Sequence, residues 1–356
     1  MVYSRQPEWC AQLAMHSFGG YKSSMKIEQR IKTWLTVSVS DLHLHSGHAV
    51  VVRDQGAIRH LAESVSPEDL AELGQRYLDA RQQARLATQG DADTAFSLDG
   101  IRLRANFYRS DTGSGCALRR LAEQIPDPQE LHLPAAALGV INETQGLVLV
   151  TGPTGSGKTT TLAALLGAIN RQRACHILTL EDPIEYLHTS AHSLVTQRQI
   201  GRDAATFAEG LRAALREDPD VILVGEMRDP ETMQLALTAA ETGHLVLTTL
   251  HTSGAANSVN RIIDGFPAGQ QNQVRAQLAQ SLRIVLTQRL FPRADGNGRV
   301  AAFEVMTCNN AIRNLIREGK THQIESVLQT GREAGMQTLE VGISERMTAG
   351  LISRPA

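Results

Sequence analysis

A short apolar run, Gly146-Leu-Val-Leu-Val150, enters the turn Thr151-Gly-Pro-Thr-Gly-Ser-Gly-Lys158 and leaves through Thr159-Thr-Thr-Leu162. Residues Gly152, Pro153, Thr154, Gly155, Ser156, Gly157, Lys158 and Thr159 fit the phosphate-binding loop G-x-x-x-x-G-K-[ST] at every fixed position, and Thr160 follows directly. The three glycines allow backbone conformations closed to residues with a Cβ. The loop N–H groups can then turn inward as an anion nest, backed by the positive end of the helix expected to begin near Lys158. Lys158 is expected to reach the outer phosphates of a nucleotide, and the Thr159 hydroxyl to ligate Mg²⁺. A strand, this loop and a helix in that order commit this part of the chain to an α/β sheet of P-loop type.

The remaining composition bounds the partners. In 356 residues, 42% are hydrophobic and 20% charged, which suits one very large or two ordinary globular domains. A formal charge of -2 disfavours a broad nucleic-acid surface, although a local basic groove stays possible. Cys10, Cys116, Cys175 and Cys308 lie far apart with no Cys-x-x-Cys pair, so a four-thiolate zinc site is not expected, and free thiols fit a reducing cytosol. No apolar run is long enough to span a bilayer, and the start lacks the pattern of a signal peptide.

Residues 1–24, with Trp9, Cys10 and Phe18-Gly-Gly20, show no sustained period and read as an extension or as the product of a start codon placed ahead of Met25. A helical pattern then runs through Ile27, Ile31 and Leu35. Val39-Ser-Asp-Leu-His-Leu44 and Val50-Val-Val52 read as strands. His43, His45 and His48 cluster there; His43 and His45 share a strand face, but no acidic or Cys partner stands in ligand spacing, so a solvated or hydrogen-bonded face is the default over a metal site. Ser66-Pro67-Glu-Asp69 opens a helix with a hydroxyl cap and Pro at its first position. Residues 94–98 and 101–107 alternate around Asp99-Gly100, a hairpin signal. Arg102 and Arg104 lie on one strand face, and Arg119 ends the next alternating stretch; alone, they read equally well as a solvated face. Three prolines between Pro126 and Pro134 mark a linker.

Beyond the linker, strands (147–150, 176–180, 221–224, 245–250) alternate with helices. Polar clusters follow the strand ends, the edge where open α/β sheets bind ligands. After Leu180 comes Glu181-Asp182-Pro183, where Pro183 is expected to stop the strand and turn the acids outward. After Val224 comes Gly225-Glu226-Met-Arg228, a Walker B pattern with Gly225 where the commonest version has Asp, which favours Glu181 as the base. His244 and His251 bracket the last strand and are too far apart for one metal; His251 falls at the ligand edge. Only helices are expected after residue 252, the clearest at 270–282 and 309–318; the second has Ile312, Leu315 and Ile316 on its apolar stripe and Arg313 and Arg317 off it.

Taken together, Ser40-Asp-Leu-His-Leu44, the phosphate loop, Leu180-Glu-Asp-Pro-Ile-Glu185, Gly225-Glu-Met-Arg-Asp229, Ala239-Ala-Glu-Thr-Gly-His244 with Leu250-His-Thr252, and Ala311–Glu318 resemble the PilT family of type IV pilus retraction ATPases in the secretion-ATPase superfamily. The resemblance spans roughly residues 25–350. Thr112 stands where the family often has Arg, Asn310 where it often has Pro, and the Pro-rich turn after Leu44 is missing.

The resemblance implies a domain order of extension (1–24), smaller PAS-like α+β domain (25–125), linker (126–134) and RecA-like ATPase domain with C-terminal helices (135–356). It implies a homo-hexamer that hydrolyses ATP with Mg²⁺, sits in the cytoplasm at the inner membrane, and turns an inner-membrane platform protein of the pilus machinery. Glu181 becomes the general base and Glu226 the Walker B acid reaching Mg²⁺ through water. His244 and His251 become His-box residues, Arg102, Arg104 and Arg119 face nucleotide across domains or subunits, and Ala311–Glu318 becomes the retraction-linked helix. Neither zinc nor nucleic acid is expected. The rivals are a secretion or conjugation ATPase of this fold, a DNA-stimulated RecA-type motor, and a non-hydrolysing paralogue, against which Lys158, Glu181 and Glu226 argue.

Overall fold

The computed structural model describes residues 25–122 and 124–353, so the expected N-terminal extension lies outside the described residues. The chain divides into two compact units. One holds the described residues before Gln124 together with Pro183–Tyr186; the other holds Gln124–Asp182 and Leu187 onward.

The first unit is a six-stranded antiparallel sheet in the order β3-β2-β1-β6-β5-β4. Its strands are β1 (Val39–His45), β2 (Ala49–Asp54), β3 (Ala57–Ser64), β4 (Asp91–Leu98), β5 (Ile101–Ser110) and β6 (Gly113–Arg120). Helices α1 (Ile27–Trp34), α2 (Pro67–Tyr77) and α3 (Ala80–Gln89) accompany them. Ile27 and Ile31 share the core with Leu42, Leu44, Leu73, Leu103 and Leu118, each at most 1% exposed. The hairpin between β4 and β5 turns on Asp99 and Gly100, both at positive φ, as a two-residue turn of this hand requires. Helix α2 opens as its residues foretell: Ser66 Oγ accepts from the Asp69 N–H at 3.1 Å, and the Asp69 carboxylate accepts from the Ser66 N–H at 2.9 Å.

The second unit is a seven-stranded sheet in the order β13-β12-β7-β11-β10-β8-β9. Its strands are β7 (Gly146–Thr151), β8 (His176–Glu181), β9 (Leu194–Gln199), β10 (Val221–Val224), β11 (Leu245–Leu250), β12 (Leu282–Pro292) and β13 (Arg299–Thr307). All neighbours pair in parallel except β13, which runs antiparallel to β12. Helices α4 (Ala135–Gly139), α5 (Lys158–Gln172), α6 (Phe207–Ala214), α7 (Pro230–Glu241), α8 (Ala255–Asp264), α9 (Gln271–Ser281), α10 (Asn310–Arg317), α11 (Ile324–Thr330) and α12 (Leu339–Thr348) cover it. Alternate strand residues feed two cores. Leu147, Leu149, Ile222 and Val224 pack with α7 to α10 on one face, while Val148, Val150, Val221 and Leu223 pack with α5 on the other. Continuous apolar strands are what a sheet covered on both faces demands.

The all-helical C-terminal region expected from the sequence is corrected by β12 and β13. Apolar runs of this length suit a buried helix as well as a buried strand, and periodicity does not separate them. Helix α9 passes straight into β12 at Leu282, with no glycine or proline to mark the change. Strands β3 and β9 also went unread: β3 is an exposed edge strand with almost no buried residue, and β9 is an edge strand rich in polar side chains.

Replacing Ser66 with Ala removes one half of the reciprocal cap on α2. Ser66→Ala is expected to cost about 1 kcal/mol of stability and Ser66→Asp to restore most of it, read as a shift in the urea midpoint.

Candidate functional site

The loop from Gly152 to Gly157 joins β7 to α5 at the carboxyl edge of the parallel strands. Its shape depends on close approach. Gly152 holds φ at +141°, and a Cβ there would stand 2.4 Å from the Gln288 carbonyl oxygen and 2.8 Å from Ser156 Oγ. No side chain fits, so glycine is required by space as well as by angle. Gly157 occupies the N-cap of α5, whose turns from Thr161 to Asn170 are buried throughout. The exposed residues of the loop are Pro153, Thr154 and Gly155; Thr159 and Thr160 begin the helix half-buried.

Lys158 is 8% exposed, and its Nζ donates to the carbonyls of Gly152 at 2.9 Å and Pro153 at 3.0 Å. Burial pushes its ammonium below the ordinary lysine value, and the Glu226 carboxylate opposes that drop. His251, just past the end of β11, lies between these two groups. Its Nδ1 is 3.5 Å from Lys158 Nζ and its Nε2 is 3.4 Å from Glu226 Oε2. A neutral imidazole in this place can accept from the Lys158 ammonium at Nδ1 and donate from Nε2 toward Glu226. Arg228 Nε meets the same Glu226 oxygen at 2.7 Å from an exposed position. Thr154 Oγ1 completes the cluster, 3.5 Å from His251 Nδ1.

Glu181 corrects one expectation. Pro183 does follow the strand, but only Asp182 turns outward; Glu181 is the last residue of β8 and is 7% exposed. Thr179 Oγ1 donates to its Oε1 at 2.8 Å and Gln197 Nε2 at 3.0 Å. These two donors keep a carboxylate tolerable in a buried place. Gly225 has its own reason at the next strand end. Its N–H donates to the Leu180 carbonyl at 2.8 Å, and a Cβ would lie 3.2 Å from that oxygen and 3.6 Å from Glu181 Cα. An Asp in its place would press on the backbone that holds Glu181.

Other candidates lie elsewhere. His244 stands at the opposite end of β11, its Nδ1 donating to the Ala239 carbonyl at 3.0 Å. Arg313 and Arg317 belong to α10, beside Cys308, whose thiol is pushed up by burial with those cations opposing. Arg102, Arg104 and Arg119 belong to the first unit. There Asp41, Arg119 and Arg104 stand in one cross-strand row over β1, β6 and β5. Arg119 Nε donates to Asp41 Oδ1 at 2.7 Å; burial pushes the Asp41 carboxyl up, but Arg119 and Ser40 outweigh it and hold it below the usual range. Arg104 lies 3.9 Å from Asp93 and 4.0 Å from Glu185, and Arg102 donates to the Ile184 carbonyl at 3.2 Å. His45 and His48 approach each other at 3.0 Å, and among the described residues no group of three or more His, Cys, Asp or Glu is placed to hold a metal ion.

Two residues that shape the loop and one that holds Glu181 carry little signal in the sequence. Gln288 and Thr287 lie on β12, and Gln197 lies on β9. The one available signal was the polar stretch Thr287-Gln288-Arg289 set between Ile284-Val-Leu286 and Leu290-Phe291.

A parallel sheet with a glycine-rich loop, buried lysine and two acids at its carboxyl edge defines a RecA-like P-loop ATPase. A family model for type II/IV secretion system proteins matches residues 130–353. The chain is 48% identical to the uncharacterized protein YggR of Escherichia coli (strain K12), over 92% of this chain and 99% of that one. It is 45% identical to the type IV pilus retraction ATPase PilT of Pseudomonas aeruginosa, over 88% of this chain and 92% of that one. The crystal structure of the pilus retraction motor PilT with bound ADP superposes with a TM-score of 0.84 at 44% identity, covering 93% of this chain and 95% of that one. The chain belongs to the type II/IV secretion system protein family, and within it to the PilT family of ATPases.

Gly152→Ala is expected to cost about 1–3 kcal/mol, the usual penalty of overpacking, because β12 must move to admit the new Cβ. Thermal unfolding measures that loss, and a fluorescent ADP analogue is expected to bind the variant far more weakly.

Proposed function

We propose that this chain is the ATP-driven motor of type IV pilus retraction, acting as a homo-hexamer on an inner-membrane platform protein. The carrying observation is the constellation of Lys158, Glu226 and His251 at the mouth of the phosphate loop, with Glu181 one strand away, in a chain 45% identical to a retraction ATPase over 88% of its length. Among the described residues no helix is long and apolar enough to cross a membrane.

In this reading the loop N–H groups and Lys158 hold the β- and γ-phosphates. Glu181 takes a proton from water as its oxygen bonds to the γ-phosphorus. The bond to the bridging oxygen breaks, and ADP and phosphate leave. The Thr159 hydroxyl and the Glu226 carboxylate at the mouth of the loop are oxygen donors of the kind Mg²⁺ takes; they would hold the ion, which would neutralise charge on the phosphates. His251 transmits the state of Lys158 and the phosphates to Glu226. Arginines of the first unit, Arg104 or Arg119, would meet the transferring phosphoryl group across a domain or subunit boundary, and Arg102 the nucleotide. Arg313 and Arg317, apart from the phosphate-facing residues, would couple turnover to pilus work.

Deleting the gene and scoring pilus number and surface motility tests the biological role: hyperpiliated, non-motile cells are expected, and loss of secretion with normal pili would favour a secretion ATPase. For the chemistry, Lys158→Ala should lose nucleotide affinity and turnover together, whereas Glu181→Gln should keep ATP binding and lose hydrolysis. Normal turnover in the first, or weak binding with intact turnover in the second, contradicts these roles. Arg317→Ala should keep most ATPase activity while motility disappears.

An arginine supplied in trans is worth roughly 10³–10⁵ in rate in other phosphoryl-transfer systems. Arg104→Ala or Arg119→Ala should therefore bind ATP almost normally and turn it over slowly. Mixing the variant that acts between subunits with Glu181→Gln should recover activity at interfaces pairing an intact arginine with an intact base. No recovery, despite proven subunit exchange, removes the in-trans step.

A further inference from the structure

We propose that Gln288 of β12 is the positioning residue that gives the phosphate loop its binding shape, an inference that rests on the loop being a nucleotide site. Gln288 is 1% exposed and uses both ends of its amide, one on the loop and one on the helix that follows it. Its Nε2 donates to the Ser156 carbonyl at 2.5 Å, and its Oε1 accepts from Thr161 Oγ1 at 2.9 Å. The orientation is chemically fixed: a carbonyl oxygen only accepts, so the NH₂ must face Ser156. Thr161, itself 2% exposed, ties the far end of the amide to the first turn of α5.

The consequence follows from peptide geometry. A trans peptide is planar, with its C=O and N–H on opposite sides. Pinning the Ser156 carbonyl toward β12 therefore aims the N–H of Gly157 the other way, into the concave side of the loop. That N–H is one of the groups an anion nest needs. The Gln288 backbone acts in the same sense, because its carbonyl is the atom that leaves room at Gly152 only for a hydrogen. One residue earlier, on the opposite strand face, Thr287 Oγ1 meets Thr151 Oγ1 at 2.9 Å, and Thr287 pairs in register with Thr151. Two adjacent residues of a C-terminal strand thus fix the entry, middle and exit of a loop about 130 positions earlier in the chain. No side-chain bond of Gln288 involves Glu181 or Glu226. It acts through the loop, so it should govern affinity rather than the chemical step.

The test compares Thr161→Val, Gln288→Ala and Gln288→Glu by titration with a fluorescent ADP analogue and by steady-state ATPase kinetics. Gln288→Ala should raise the Kd and the KM for ATP about tenfold, the scale of one buried hydrogen bond, with kcat kept within about twofold. Thr161→Val leaves the Ser156 bond but loosens the amide, and should raise Kd about threefold. Gln288→Glu keeps the acceptor for Thr161 and sets a carboxylate against the Ser156 carbonyl, so it should bind at least as weakly as Gln288→Ala. Unchanged Kd in folded Gln288→Ala, or a fall in kcat with affinity intact, overturns the proposal. If Gln288→Ala does not fold, Thr161→Val decides, and unchanged affinity there overturns it. Failure of the unaltered protein to bind the analogue would instead overturn the nucleotide reading itself.

Discussion

The contact between the start of the phosphate loop and the backbone of β12 organises the second unit. A loop that must show its N–H groups to an anion has to send its carbonyls elsewhere, and buried carbonyls need partners. Lys158 takes those of Gly152 and Pro153, and Gln288 takes that of Ser156. The loop is therefore held from both sides, by its own lysine and by a strand that follows four intervening strands in the chain. The nucleotide site cannot have its shape until the C-terminal strands are in place.

The same logic spaces the acids. Glu181 and Glu226 come from neighbouring parallel strands, β8 and the end of β10, and would repel if left alone in a low dielectric. Each has been given different company. Glu181 is buried under two neutral donors, Thr179 and Gln197, while Glu226 is half-buried against cationic Arg228, His251 and the Lys158 charge.

How far the sequence disclosed this depended on whether a signal was local. The phosphate loop, the Ser66 cap, the Asp99-Gly100 hairpin and the strands β7, β8, β10 and β11 were legible, because each is written in consecutive residues whose spacing has one physical meaning. Strands β12 and β13 were not, since Leu282–Leu286 is equally apolar on a helix or a strand. Glu181 was found as a site candidate but placed on the wrong side of the surface. One of its donors there is Gln197 on β9, a strand too polar to announce itself. Gln288 was missed for a similar reason: its importance lies in partners more than 120 residues away, and no local pattern encodes them.

The first unit shows what it would take to recruit its arginines. Arg119 and Arg104 face each other across β5 and β6, so two like charges would oppose at that pair. Asp41 sits at the next position of the row and takes Arg119, and Asp93 and Glu185 flank Arg104. None of these arginines is held deeply: Arg119 is 68% and Arg104 40% exposed at the side chain. Ion pairs at such positions are worth roughly 0–1 kcal/mol, because water screens them and the side chains keep their freedom. A phosphoryl group carrying more than one negative charge would compete at little cost with the single carboxylate at Arg119 and with the two loosely held ones at Arg104. The acidic partners would then serve as a parking place that stores the arginines extended on one face. Asp41 would do this best, because it is buried and bonded to Ser40 while Arg119 stays exposed.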